Sequence, residues 1–173
     1  PENMIGRPGT SEFEAARLLI DLNKLQMIAL HEAMADEINT MFEIDNTAIL
    51  NNGIDVARFE NVDKTKLEIR EQIGIPQNAF VLGHIGRFSY AKNHEFLLEF
   101  FEKIHKKNSN AFLLLVGAGE LKEHVTENIK NRGLEQSVLI LSNRKDTECL
   151  YKAMDVFAFP SRYEGFPVSI IEA

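Results

Sequence analysis

Two carboxylates near the end of the chain, Glu164 and Glu172, stand with seven residues between them in the string Glu164-Gly165-Phe166-Pro167-Val168-Ser169-Ile170-Ile171-Glu172-Ala173. An apolar, strand-like run, Val156-Phe157-Ala158-Phe159-Pro160, precedes them, and Pro167 falls where a helix takes its first residue. The pattern predicts a strand-turn-helix corner. Eight helical positions at about 100° each bring Glu172 round to nearly the face on which the helix begins. Both carboxylates can then look into one cleft beyond the carboxyl end of the strand, where open α/β sheets hold ligands. Read singly, Glu164 serves as well as a helix cap, and Glu172 as a solvated side chain.

A second constellation is cationic. The run Gly86-Arg87-Phe88-Ser89-Tyr90-Ala91-Lys92-Asn93 follows another apolar segment and sets a guanidinium and an ammonium five residues apart. On a loop between strand and helix the two can converge on one anion, helped by the positive end of the helix, and a diphosphate suits that geometry. The local alternative is a pair of solvated loop cations. A third segment, Gly117-Ala118-Gly119-Glu120-Leu121, ends an apolar run but lacks the third glycine and the acidic residue of a dinucleotide fingerprint. It reads either as a tight strand-to-helix turn or as a place where backbone approaches a ligand.

The elements that must hold these residues follow from periodicity. Residues 1–10 read as loop. Ser11 and Glu14 form a capping box for a helix carrying Ala15, Leu18, Leu19, Leu22 and Leu25. Met27 to Leu30 is a short strand, His31 to Phe42 a helix with His31 as a cap or a spectator, and Thr47 to Leu50 a second strand. Asn52-Gly53 signals a turn at positive φ. Lys64 to Gly74 is a small helix closed by its glycine. From Phe80 four apolar runs, Phe80–Gly86, Ala111–Gly117, Ser137–Ser142 and Val156–Phe159, alternate with helices. Their expected inner faces are Phe96, Leu97, Phe100, Phe101 and Ile104, then Leu121, Val125 and Ile129, then Leu150, Tyr151 and Met154. Near-continuous apolar strands between amphipathic helices define an α/β fold, a Rossmann-like parallel sheet with helices on both faces.

With 173 residues, 45% of them hydrophobic, the chain can bury one good core and part of a second. A formal net charge of -7 argues against a nucleic-acid partner bound through bulk charge. The single cysteine, Cys149, excludes an internal disulfide and a zinc cluster, and reads as a small apolar filler in a helix. Nothing resembles a signal peptide or an uninterrupted membrane span, so a cytoplasmic setting is expected.

The three chemistry-bearing blocks, Gly86 to Asn93, Gly117 to Leu121 and Pro160 to Ala173, resemble in order and spacing the retaining glycosyltransferases of the GT-B architecture (group 1, family 4). The string around Glu164 and Glu172 resembles their Glu-x7-Glu signature. The wording is most similar to bacterial exopolysaccharide or capsular polysaccharide glycosyltransferases. The resemblance implies transfer of a hexosyl group, with retention, from a nucleoside-diphosphate sugar such as a UDP-sugar to a saccharide or lipid-linked acceptor. It assigns Arg87 and Lys92 to the donor diphosphate, Glu164 to the donor sugar as catalytic residue, and Glu172 to the ribose. Gly165 and Phe166 would offer backbone amides to sugar or phosphate. Gly117 and Gly119 would let the backbone approach the nucleotide, and Arg144 would lie near the base. No Asp-x-Asp occurs, so no metal or other cofactor is required by this reading. The implied organisation is the tail of an amino-terminal, acceptor-side domain (1–50), a linker and entry helix (51–76), and an incomplete nucleotide-sugar domain (77–173), together a fragment of a larger enzyme that is inactive alone. The full-length enzyme would be cytoplasmic, with room for peripheral association at the inner face of the membrane. Two other classes remain in view, a sugar-nucleotide epimerase of GT-B architecture and a non-catalytic nucleotide-binding α/β module.

Overall fold

The computed structural model describes residues 8–173, so the first seven residues of the expected amino-terminal loop lie outside it. The chain divides into two compact units, one reaching to Gly53 and the other running from Ile54 to Ala173.

The first unit holds helix α1 (Ser11–Asp21), strand β1 (Ile28–Ala29), helix α2 (Glu32–Phe42) and strand β2 (Ala48–Ile49). β1 and β2 pair in parallel. Phe13 and Phe42 stack with ring centroids 4.7 Å apart in a core completed by Ala16, Met27, Ala29, Ala35 and Ile38. Three local expectations change. The cap of α1 is Thr10, whose hydroxyl accepts from the Phe13 amide at 3.3 Å, whereas the Ser11 hydroxyl turns to Glu12. The buried side of α1 follows Phe13 and Ala16, leaving Leu18, Leu19 and Leu22 exposed. The segment 51–53 carries no positive φ; the Asn51 amide instead donates to the Leu30 carbonyl at 2.7 Å, which keeps the chain running on from β2. His31 caps α2, its Nδ1 accepting from the Met34 amide at 3.2 Å.

The second unit begins with helices α3 (Val56–Glu60) and α4 (Lys66–Ile73). It continues with β3 (Phe80–Ile85), α5 (His94–Lys107), β4 (Ala111–Val116), α6 (Lys122–Asn131), β5 (Val138–Leu141), α7 (Thr147–Ala153), β6 (Val156–Phe157) and α8 (Val168–Glu172). The strands form one parallel sheet in the order β5-β4-β3-β6. Alternation divides its core. Leu113 and Leu115 of β4 face α5 and α6 with Leu97, Leu98, Phe101, Val125 and Ile129, while Phe112, Leu114 and Val116 face the opposite layer with Ile75, Leu150 and Met154. Both faces are covered, as the continuous apolar runs predict.

α5 buries His94, Leu97, Leu98 and Phe101, an i, i+3, i+4, i+7 stripe that starts on a histidine. The expected stripe was rotated from this one. Phe96 and Phe100 are half exposed and stack on each other, 6.4 Å between centroids and 7° between planes.

At the amino-terminal end of the sheet one buried guanidinium ties four elements together. Arg70, 4% exposed, donates to the carbonyls of Ala153 at 2.9 Å and Ala79 at 3.0 Å, and to the Asp155 carboxylate at 2.7 Å. Asp155 also accepts from the Val81 amide at 2.8 Å and from Lys66 at 2.9 Å. Burial pushes the Asp155 carboxyl up, but the Val81 amide, Lys66 and Arg70 together bring it down to about 2. Its contribution to stability is therefore complete above the unfolded value of 3.8 and is lost as pH falls toward about 2. Asp155→Ala leaves Arg70 buried without its counter-charge and should destabilise the second unit by about 3 kcal/mol in denaturant unfolding. An unchanged midpoint would show that the carbonyls alone satisfy Arg70.

Candidate functional site

The loops that leave the carboxyl ends of β3, β4 and β6 are joined to one another by main-chain bonds. Gly86 N donates to Val116 O at 2.9 Å, Phe88 N to Ala118 O at 3.0 Å, and Leu121 N to Phe88 O at 2.9 Å. The approach is close enough that a Cβ on Gly117 would lie 2.0 Å from the Gly86 carbonyl oxygen, and one on Gly119 2.5 Å from that of Phe88. With φ of 154° and 158°, these two glycines are required by loop-on-loop contact within the protein. The third loop docks through Arg162 N, which donates to Ala91 O at 2.8 Å, and through Asn93 Nδ2, which donates to Pro160 O at 3.2 Å. The Arg162 guanidinium also lies over the Tyr90 ring, 4.5 Å from its centroid.

This scaffold brings Lys92 onto Glu164, Nζ to Oε1 2.6 Å, with the two side chains only 17% and 21% exposed. The ammonium also stands 5.5 Å from the centroid of the Phe159 ring. Arg87 points elsewhere. It is 72% exposed and pairs with Glu120 of the β4 loop at 3.1 Å. The Glu120 carboxyl is held below the usual range, first by its own backbone amide and then by Arg87. Each of the two expected anion-binding cations thus has its own carboxylate partner.

Glu172, in the last turn of α8, lies 3.0 Å from the Tyr151 hydroxyl, which also reaches the Ser169 carbonyl at 3.1 Å and can donate to one of them at a time. Burial, and then Glu172, push the Tyr151 hydroxyl's ionisation far up, so it remains a donor. Glu172 also borders an open groove with Phe59 and Ile171. Glu164 and Glu172 are therefore fixed by different elements, the first by the β3 loop and the second by α7. Pro167 is the residue preceding α8 and Val168 its first turn, one position later than the spacing suggested. Gly165 and Phe166 lie in the turn before it. Arg144 closes on Asp146 through two bonds of 2.8 and 2.5 Å. The Ser142 hydroxyl donates to the Gly117 carbonyl at 2.9 Å, joining the loop after β5 to the same scaffold.

Two histidines that the motif reading passed over lie beneath the cluster. His84, fully buried on β3, donates from Nδ1 to the Ala158 carbonyl at 2.9 Å, which ties β3 to the end of β6. His94, 3% exposed, stacks on Phe88 at 4.3 Å and meets His84 edge-on at 5.0 Å. Its place in the α5 stripe was the available signal. Burial, His84 and Lys92 lower its pKa from the ordinary 6.5 to about 4. Cys149 is half-buried and burial raises its thiol, in keeping with a packing role.

The family model described as glycosyl transferases group 1 matches residues 65–173. The chain belongs to this family. It is 33% identical over 131 residues to the putative glycosyltransferase EpsF of Bacillus subtilis, covering 76% of this chain and 34% of that protein. It is 32% identical over 130 residues to the UDP-Gal:alpha-D-GlcNAc-diphosphoundecaprenol alpha-1,3-galactosyltransferase of Escherichia coli, covering 73% of this chain and 33% of that protein. The chain thus spans about a third of the length of these relatives. Among solved structures it resembles Anabaena Alr3699/HepE in complex with UDP, with a TM-score of 0.77 and 26% identity, covering 98% of this chain and 48% of that one. WaaG, a glycosyltransferase involved in lipopolysaccharide biosynthesis, has the same fold, with a TM-score of 0.77 at 18% identity, covering 99% of this chain and 44% of that one.

The buried imidazole gives the site an acid limit. A His94 that stays neutral in the fold but takes a proton when unfolded makes stability fall as pH drops from 6.5 toward about 4. The groups facing it, His84 and Lys92, both oppose its protonation. Replacing His94 by Leu should flatten that part of the stability-pH curve, read from urea midpoints. A slope unchanged in the variant would assign the effect to another group.

Proposed function

We propose that this chain carries the donor half-site of a glycosyltransferase that moves a hexosyl group, with retention, from a nucleoside-diphosphate sugar to a saccharide or lipid-linked acceptor in exopolysaccharide or capsule synthesis. The observation that carries the reading is the Lys92–Glu164 contact. A partly desolvated ammonium and a carboxylate meet at 2.6 Å on two loops at the carboxyl end of a parallel sheet, the place where such sheets take ligands. The E. coli relative's name specifies a UDP-sugar donor and a diphospholipid acceptor, and the Anabaena structure holds UDP, which supports a uridine nucleotide here.

In this reading Lys92 and Arg87 take the negative charge that grows on the diphosphate as it leaves. Glu164 receives hydroxyls of the donor sugar. Gly165 and Phe166, in the turn beside it, offer amides to sugar or phosphate. Glu172, steadied by Tyr151, accepts the ribose hydroxyls. Arg144 reaches the base only by leaving Asp146. No nucleic acid is involved in this reading. No described helix is long and apolar enough to cross a membrane, and contact of the full-length enzyme with the inner membrane face would be peripheral.

Calorimetry with uridine diphosphate tests the assignment. Lys92→Ala should weaken binding by about 1.5–3 kcal/mol and the more exposed Arg87→Ala by an amount near the lower end of that range. Glu172→Ala should weaken uridine diphosphate and a uridine-diphosphate sugar alike. Affinities that survive all three changes would remove the nucleotide from this site.

A further inference from the structure

Both cations assigned to the diphosphate are already occupied. Arg87 is held by Glu120 from the β4 loop, and Lys92 by Glu164 from the corner after β6. Neither pairing is local, since the residues are 33 and 72 positions apart in the chain. They meet because the loops are joined: Phe88 N to Ala118 O and Leu121 N to Phe88 O fix Glu120 across from Arg87, and Arg162 N to Ala91 O fixes Glu164 across from Lys92.

Resting on the donor-site reading above, we propose that Glu120 and Glu164 are internal counter-ions that stand in for the two phosphates in the free protein, and that an incoming diphosphate displaces both. The two pairs differ in strength. Glu120 and Arg87 are 55% and 72% exposed, so water competes for both and the pair opens easily. Lys92 and Glu164 are about four-fifths buried, so their separation requires a ligand charge of comparable size arriving at the ammonium. The exchange is chemically balanced: one carboxylate leaves each cation as one phosphate arrives.

Displacement also has a direction. Glu120, on an exposed loop, turns into solvent. Glu164 cannot leave so freely, because its loop stays anchored through Arg162 and Asn93. A carboxylate freed there remains beside the diphosphate, where the sugar of the donor would lie. The phosphates thus free Glu164 from its role as counter-ion to accept hydrogen bonds from the donor sugar's hydroxyls, and a nucleotide lacking them leaves it locked on Lys92. Glu120 acts through Arg87, holding a long exposed side chain against the β4 loop until the ligand comes.

The test is calorimetry of uridine diphosphate binding to the chain and its variants. Glu120→Gln, which keeps the shape and removes the charge, should tighten binding about two- to fivefold. Glu164→Gln should tighten it about three- to tenfold, because Lys92 is then left without a counter-charge. The gain from Glu120→Gln should vanish in an Arg87→Ala background, and that from Glu164→Gln in a Lys92→Ala background. A gain that persists in those backgrounds reflects net charge alone and overturns the proposal. Unchanged or weaker binding in the glutamine variants, with clear binding by the parent chain, overturns it while leaving the donor site standing. No binding by the parent or by any variant overturns both.

Discussion

Hydrogen bonding between the β3 and β4 loops is the constraint on which the site depends. The parallel ladder does not stop at Ile85 and Val116; it runs on through Gly86 N to Val116 O and Phe88 N to Ala118 O. Only residues without a Cβ can sit where Gly117 and Gly119 do, against the carbonyls of Gly86 and Phe88. A side chain at either position would push the loops apart, and with them Arg87 from Glu120. The glycines therefore act through geometry of the protein itself. Any effect they have on a nucleotide follows from where they hold the β3 loop.

The histidines beneath extend the same constraint into the core. His84 joins β3 to Ala158, and His94 fills the space between His84 and Phe88. Lys92 consequently stands over a neutral, desolvated floor, with Glu164 as its counter-charge. The formal charge of -7 does not decide the balance at this point, since the field at a few ångströms is set by the nearest groups, here two cations each paired with one carboxylate, and the distant carboxylates are screened by water.

What was legible in the sequence was what depends on short-range pattern. Apolar runs gave the strands, and alternation with helices gave the doubly covered parallel sheet. The three loop blocks located the carboxyl ends of the strands. What escaped depends on partners distant in sequence. Nothing near Tyr151 announces that its hydroxyl will meet Glu172, and Glu120 gains its interest only from a loop 33 positions away. The α5 stripe was misplaced because His94 counts as polar, although in place it is 3% exposed and packs as an aromatic ring. Arg70 stands in a charged helix whose local sequence carries no sign of its burial. Four acceptors, the carbonyls of Gln77, Ala79 and Ala153 and the Asp155 carboxylate, make its burial tolerable, and they come from two separate segments.

The two ends of the sheet differ in how their charged groups are partnered, and the proposed exchange of counter-ions rests on that difference. At the amino-terminal end Asp155 is met by Arg70, Lys66 and the Val81 amide together, and Arg70 has carbonyl partners besides. Removing any one contact leaves the others, and no single incoming group can replace the set. At the carboxyl end Arg87 has Glu120 and Lys92 has Glu164, each a single carboxylate on a separate loop. A one-to-one ion pair is satisfied equally well by a phosphate oxygen in place of the carboxylate. On the proposed exchange, the number of partners per charge, more than the identity of the charged residue, divides the end of the sheet that stays closed from the end that opens.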